Sequence, residues 1–319
     1  MAHLVENMAY VGATPWHGLG NQLTRNQSLE VWAQQAGMDF NILETPVRFM
    51  SESAGALGAI HAFPEQKVLY RSDTKAPLSV VSNRYQVVQP KEILEFYRDL
   101  SEISGYELET AGVLKEGRKV WALAKTNQSA KLKGVDAING YVLLATACDG
   151  TLATTAQFTS IRVVCNNTLA VALANGSGAV KVPHSTMFDP QAVKKQLGIS
   201  VTSWDSFIYR MKTLSERKVK SHEAMNYFLK VFTDPNTTSA GLNNERAIKK
   251  VLALYDGHGK GAELASAKST AWGLVNAVTE YVDHERRARS ADHRLESAFF
   301  GQGATLKQKA LDQALLMAA

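Results

Sequence analysis

The densest polar chemistry of this chain lies near its C-terminus, in Glu280-Tyr281-Val282-Asp283-His284-Glu285-Arg286-Arg287-Ala288-Arg289-Ser290, continuing through Asp292-His293-Arg294. Two chemistries suit it. Arg286, Arg287 and Arg289 place three guanidinium groups within four residues, and the planar guanidinium fork matches phosphate oxygens. Glu280, Asp283 and His284 offer carboxylates and an imidazole to a metal-dependent nuclease, although all three fall on one predicted helix. Glu280 and His284 are four apart, as are Asp283 and Arg287, so each pair can touch on a helix. A solvated helix face laced with ion pairs would account for the same residues.

A second basic set lies in the middle of the chain. Arg84, Arg118, Lys119, Lys125, Lys131, Lys133 and Arg162 occur on predicted strands, a hairpin tip and their edges, with Tyr85, Tyr106, Trp121 and Tyr141 among them. Cations interleaved with aromatics on an antiparallel sheet suit single-stranded nucleic acid, because charges track the backbone and rings stack on bases. The same aromatics also serve as ordinary core residues.

Other motifs point less clearly to a chemistry. Trp16-His17-Gly18-Leu19-Gly20 is a glycine loop with no Lys-Ser/Thr after it, so it does not read as a phosphate loop. Asp256-Gly257-His258-Gly259-Lys260-Gly261 could cradle an anion through backbone N–H groups, or simply connect two helices. No histidine pair has the helical spacing of a zinc hydrolase. Cys165 falls at a predicted helix start, where the dipole can lower a thiol pKa. Both it and Cys148 read more simply as structural. Two cysteines exclude a disulfide scaffold and suit a reducing cytoplasm.

Recognisable elements must position these groups. Ser28 caps a predicted helix over Leu29–Ala36 that stops at Gly37. Short strand-like runs fill 40–85. A strand or strand pair over 78–88 leads into a helix opened by Pro90, with apolar spacing from Ile93 to Ile103 and a stop at Gly105. Strands follow over 106–114, 119–125, 141–147 and 152–158. Lys115-Glu116-Gly117-Arg118 forms a hairpin loop, and Asp149-Gly150 a turn. Helical spacing then covers Arg162–Leu173. Beyond 186, helices are expected from Asp189-Pro190, over Trp204–Leu214, Ala224–Phe232, Glu245–Tyr255 and Ser269–Ala291. The linker candidates are 175–185 and 233–244.

The order β-α-β-β-β-α lacks regular strand–helix alternation. The expected fold is therefore α+β: an antiparallel sheet packed on helices, followed by a helical C-terminal region. Three segments are expected: 1–77, 78–185 and 186–319. Residues 1–80 carry 5 basic and 7 acidic side chains, 81–185 carry 11 and 9, and 186–319 carry 19 and 14. The net +5 is thus concentrated in the C-terminal half, which makes an anionic partner reasonable. No apolar run reaches the ~18 residues of a membrane span. The start MAHLVENMAY has neither the basic flank nor the apolar stretch of an export signal.

Three phrases resemble a phage/plasmid-like family of unknown function, domain-of-unknown-function family 932. They are Trp16–Gly20, Arg162-Val163-Val164-Cys165-Asn166-Asn167-Thr168-Leu169, and the run from Thr270-Ala271-Trp272-Gly273 to Asp283-His284. The resemblance spans almost the whole chain and implies a mobile-element setting, with no catalytic residues to carry over. The β-α-β-β-β-α order is also similar, in topology alone, to Rad52-type single-strand annealing proteins. Together these readings lead to an expectation: a cytoplasmic, homo-oligomeric recombination protein that binds single-stranded DNA and promotes annealing without nucleotide or metal. The alternatives are a protein-binding antirestriction or host-takeover factor, and the metal-dependent nuclease.

Overall fold

The computed structural model describes residues 8–12, 20–52, 58–162, 164, 167–170, 179–201, 203–233 and 244–319. Trp16 to Leu19 and Cys165 lie outside the described residues, as do 175–178 and 234–243 of the two linker candidates. In chain order, the first half holds β1 (Met8–Val11), β2 (Asn21–Leu23), α1 (Leu29–Gln35), β3 (Ile42–Met50), β4 (Ile60–Arg71), β5 (Pro77–Ser82) and α2 (Pro90–Ser104). The central strands are β6 (Glu107–Leu114), β7 (Lys119–Leu132), β8 (Asp136–Ala147), β9 (Thr154–Arg162), β10 (Asn167–Ala170) and β11 (Val180–Val182). The helices after them are α3 (Pro190–Val201), α4 (Ser203–Glu216), α5 (Ser221–Phe232), α6 (Glu245–Ala253), α7 (Ala271–Glu280), α8 (Ala291–Phe300) and α9 (Gln302–Ala318).

The main sheet runs β10-β9-β8-β7-β6-β1-β2, with β11 sharing the outer edge of β9. Its pairs are antiparallel except β1–β2. Val120, Ala122 and Ala124 face a large core that takes in α2, α4 and α7, while Trp121 and Leu123 face a second cluster closed by Leu295 of α8. Both faces are covered, so β7 reads as a nearly continuous apolar run rather than an alternating one. The large core includes Trp32, Tyr97 and Trp272, residues from all three segments of the sequence. Among the described residues, no helix is long and apolar enough to cross a membrane.

Local chemistry explains why α2 forms where it does. The Glu92 carboxylate accepts from the Gln89 N–H at 2.6 Å, Pro90 sits in the first turn, and Gly105 ends the helix at φ +66°. The Tyr97 hydroxyl then donates to the carbonyls of Ala122 (2.6 Å) and Val142 (3.1 Å), fixing α2 on β7 and β8.

The α+β expectation holds, with local corrections. Residues 77–82 do not join the main sheet. They pair with β4 in a separate antiparallel sheet, β3-β4-β5. Where a helix is predicted over Arg162–Leu173, Arg162 instead ends β9 and Asn167–Ala170 form β10, paired from Asn167↔Arg162 to Ala170↔Thr159; 171–173 lie outside the described residues. The open edge of β9 supplies the backbone partners that a short helix would otherwise have made for itself. The predicted helix over Ser269–Ala291 stops at Glu280. A wide helical turn follows over Tyr281–Glu285, closed by the Arg286 N–H donating to the Tyr281 carbonyl at 2.6 Å. Residues 286–290 are a loop. The sequence reading assigned no element beyond 291, where α8 and α9 lie.

Candidate nucleic-acid interface and the buried polar seam beside it

The basic residues singled out in the sequence divide into buried and exposed groups. Lys119 is 3% exposed and pairs with Glu296 of α8, which Lys115 also reaches at 2.8 Å. Against the burial that would raise it, hydrogen bonds from the two lysines hold the Glu296 carboxyl below its ordinary range. Arg162 is 2% exposed and pairs with Asp136, itself fully buried, at 2.7 Å. The expectation that Lys119 and Arg162 are among the cations offered to nucleic acid is therefore corrected. A Lys or Arg deep in a fold needs a carboxylate partner more than it needs water, and each has one.

The exposed group lies at several places around the sheet. Arg84 follows β5, and Arg118 ends the β6–β7 turn; both are exposed. They flank one turn: the Tyr85 hydroxyl donates to Ala147 O (2.5 Å), and the Cys148 N–H donates to Arg118 O (2.9 Å). Lys131 and Lys133 are exposed at the opposite end of the 14-residue β7, roughly 40 Å away along the strand. Lys133 Nζ donates to Ala265 O at 3.1 Å. Lys125 is half-buried mid-strand, where its charge acts on Glu109. Arg287 and Arg289 are exposed in the loop before α8. Arg286 is partly buried and donates to Gln302 Oε1 at 3.1 Å.

Glu280, Asp283 and His284 point into a buried polar seam between the β8–β10 edge and α7–α9. Asp136 Oδ2 accepts from Ser266 Oγ (2.6 Å) and Trp272 Nε1 (3.1 Å), while its Oδ1 accepts from Arg162 Nε. The Arg162 guanidinium also donates to the Gly261 carbonyl at 3.0 Å. Glu280 accepts from the Lys260 N–H at 3.1 and 3.0 Å through its two oxygens. The glycine loop lies in the connection from α6 to α7, and its Lys260 N–H holds the chain's own Glu280 carboxylate. Burial pushes the Glu280 carboxyl above its ordinary range, an effect opposed by the Lys260 N–H.

A second knot is centred on Asp283. It accepts from the Thr168 N–H (2.8 Å), the Thr168 hydroxyl (3.1 Å) and Lys307 Nζ (2.8 Å). His284 Nε2 donates to Asn167 Oδ1 at 3.1 Å. The three residues proposed for a nuclease therefore face separate partners. Among the described residues, no group of three His, Cys, Asp or Glu side chains is placed to hold a metal. The cavity beside Thr168 and Lys307 measures 20 Å³, too small for a substrate. In this geometry the seam fastens the edge of the sheet to the helices. Lys307, Asp136, Ser266 and Glu296 carried no signal in the sequence, because a single polar residue among mixed neighbours gives no sign of a partner distant in the chain.

Residues 77–299 match the model of a family described as a domain of unknown function, DUF932, and the chain belongs to that family. No curated protein and no solved structure matches it. Two of the phrases that resembled the family meet in the seam. Arg162, Asn167 and Thr168 come from one, and Trp272, Glu280, Asp283 and His284 from the other.

Proposed function

We propose that the protein binds single-stranded DNA and promotes strand annealing in phage or plasmid recombination, as a self-associating protein. One contrast carries the reading. The buried cations Lys119, Arg162 and Lys307 each have a carboxylate partner. Arg84, Arg118, Lys131, Lys133, Arg287 and Arg289 are exposed and make no ion pair among the described residues. Exposed, uncompensated cations attract a polyanion and release its counterions on binding. Arg84 and Arg118, which flank one turn, form the best-defined contact. Neutralising phosphates there would leave the bases free to pair with a second strand.

Anisotropy of a labelled oligonucleotide, titrated across a salt series, tests this. Arg84→Ala with Arg118→Ala is expected to weaken single-strand binding about equally for every sequence. The slope of log K against log salt should flatten by roughly 0.7 per lost contact. Arg287→Ala with Arg289→Ala probes the second patch in the same way. An unaltered chain that fails to bind single strands at low salt would end the proposal.

A further inference from the structure

His184 lies just beyond β11 and touches two segments that are distant in the chain. Its ring Nδ1 is 3.0 Å from the Gln86 carbonyl oxygen, and its Nε2 is 3.0 Å from the Leu152 carbonyl oxygen. A carbonyl oxygen only accepts, and a neutral imidazole has one N–H and one bare nitrogen. The doubly protonated ring alone satisfies both contacts, because a bare nitrogen at either would set two lone pairs against each other. The ring also stacks on Tyr85, with centroids 4.3 Å apart and planes 15° from parallel. An aromatic face attracts a cation, and the Tyr85 hydroxyl is engaged elsewhere, on Ala147 O.

We infer that His184 is a proton-dependent clip on the turn between β8 and β9. Doubly protonated, the ring ties the segment leading into α2 to Leu152. On losing one proton it keeps a single tie, and the geometry selects which. Gln86 is held twice, since its N–H also donates to the His184 carbonyl at 2.6 Å. The Leu152 carbonyl has only the ring Nε2 as a partner among the described residues. The neutral ring therefore keeps its Nδ1–H on Gln86 and turns a bare Nε2 toward Leu152, and the turn loosens. Arg84 and Arg118 flank this turn, so the clip bears on the proposed DNA contact, but the inference itself does not rest on DNA binding.

The surrounding groups leave the proton to the imidazole. Burial raises the Tyr85 phenol and the Cys148 thiol, so both stay neutral where an imidazole ordinarily titrates, at about 6.5. Lys67 donates to Tyr85 O at 2.9 Å and pairs with Glu44 at 2.8 Å. Asp149, the carboxylate of the turn, accepts from the Thr151 N–H and hydroxyl. Arg84, Arg118 and Lys181 of β11 are exposed. Carboxylate, ammonium and guanidinium groups ordinarily titrate far from neutrality, which leaves the His184 ring as the part of this cluster that changes there.

Nitrogen NMR of the ring and amide hydrogen exchange, both on the unaltered chain without DNA, decide the matter. At about pH 5.5 both His184 nitrogens are expected to carry a proton, and at about pH 8.5 only Nδ1. Over the same interval the protection of amides in 149–153, corrected for the intrinsic pH dependence of exchange, is expected to fall about tenfold, the effect of losing one charge-assisted hydrogen bond. His184→Phe keeps a ring for the stack but no donor, and is expected to show the lower protection at both pH values. A ring that is neutral at the lower pH overturns the inference. So does one still doubly protonated at the higher pH, which would be a fixed clip. Protection that does not change with pH in the unaltered chain, or that falls equally in a folded His184→Phe variant, overturns it as well. The two measurements on the unaltered chain are decisive even if that variant does not fold. Failure to bind DNA would remove the recombination reading and leave the clip standing.

Discussion

Arg162 shows how residue type and residue role can part company. Its sequence neighbourhood marks a cation at the start of a helix, whereas it ends strand β9, under the 260s loop. Its charge is matched by an Asp136 that no periodicity singles out. Arg162→Met would leave Asp136 buried with only Ser266 and Trp272 as donors. The expected loss is about 3–5 kcal/mol, the usual result of breaking a buried pair, read by denaturant unfolding. Lys119→Met is expected to cost less, since Lys115 still reaches Glu296. Cys148 tests burial in another way. Its thiol is pushed up to about 12 by burial, with Asp149 adding to the rise, so little thiolate forms near neutrality. In a Cys165→Ser chain, a thiol reagent is expected to label Cys148 only as the protein unfolds; rapid labelling of the native state would contradict that burial.

At the scale of elements, helices with strong local signals were legible. α1 has its Ser28 cap, α2 its Pro90 at the start and Gly105 at the end, and α3 its Asp189 side chain accepting from the N–H groups of Gln191 and Ala192. The stretches that misled are those settled by distant partners. β10 owes its pairing to β9, and the α7 helix gives way to a wider turn where Asp283 meets Thr168 and Lys307. Gly273 in α7 gives a test with an unusual sign. Alanine in a helix interior normally gains about 0.5–1 kcal/mol over glycine. Here an added Cβ would lie 2.1 Å from the Ala267 carbonyl oxygen. Overpacking of that kind costs about 1–3 kcal/mol, so Gly273→Ala is expected to lower the melting temperature. The α5 cap supplies a pH test. A hydrogen bond from Arg217, then the Lys220 N–H, lowers the Glu223 carboxyl from 4.5 to about 2. Its stabilisation is present above pH 4.5 and is lost as pH falls through about 2. Glu223→Gln should therefore melt below the unaltered chain at pH 7, with the gap closing between pH 4.5 and 2.

The whole molecule is held by contacts that join its sequence segments. Phe158 of β9 meets Trp204 of α4 edge-on at 5.8 Å, Glu296 pairs across the sheet to Lys119, and Trp272 Nε1 of α7 donates to Asp136 Oδ2 of β8 at 3.1 Å. A chain ending at residue 185 would lose Leu295 of α8 from one face of the main sheet and α4 and α7 from the other, where α2 would remain. It is expected to lack the near-UV signal of fixed aromatics; a dispersed, cooperatively melting fragment would show that the sheet stands alone. The overall class was readable because segments of distinct period follow one another along the chain. The second sheet was not, because a strand's sequence carries its pattern but not its partner, and 77–82 is as good a strand in one sheet as in the other.

The glycine loop at 257–261, gripped by the Glu280 carboxylate at Lys260 and by the Arg162 guanidinium at Gly261, has a practical consequence for solution work. At 1 M salt the screening length falls to about 3 Å, which weakens exposed charges far more than buried ones. The charges that fasten the sheet to the helices lie among the buried ones; those proposed to meet DNA do not. Concentrated salt should then strip a bound strand from a chain that remains folded. Elution in a rising salt gradient would report affinity alone, free of any contribution from unfolding.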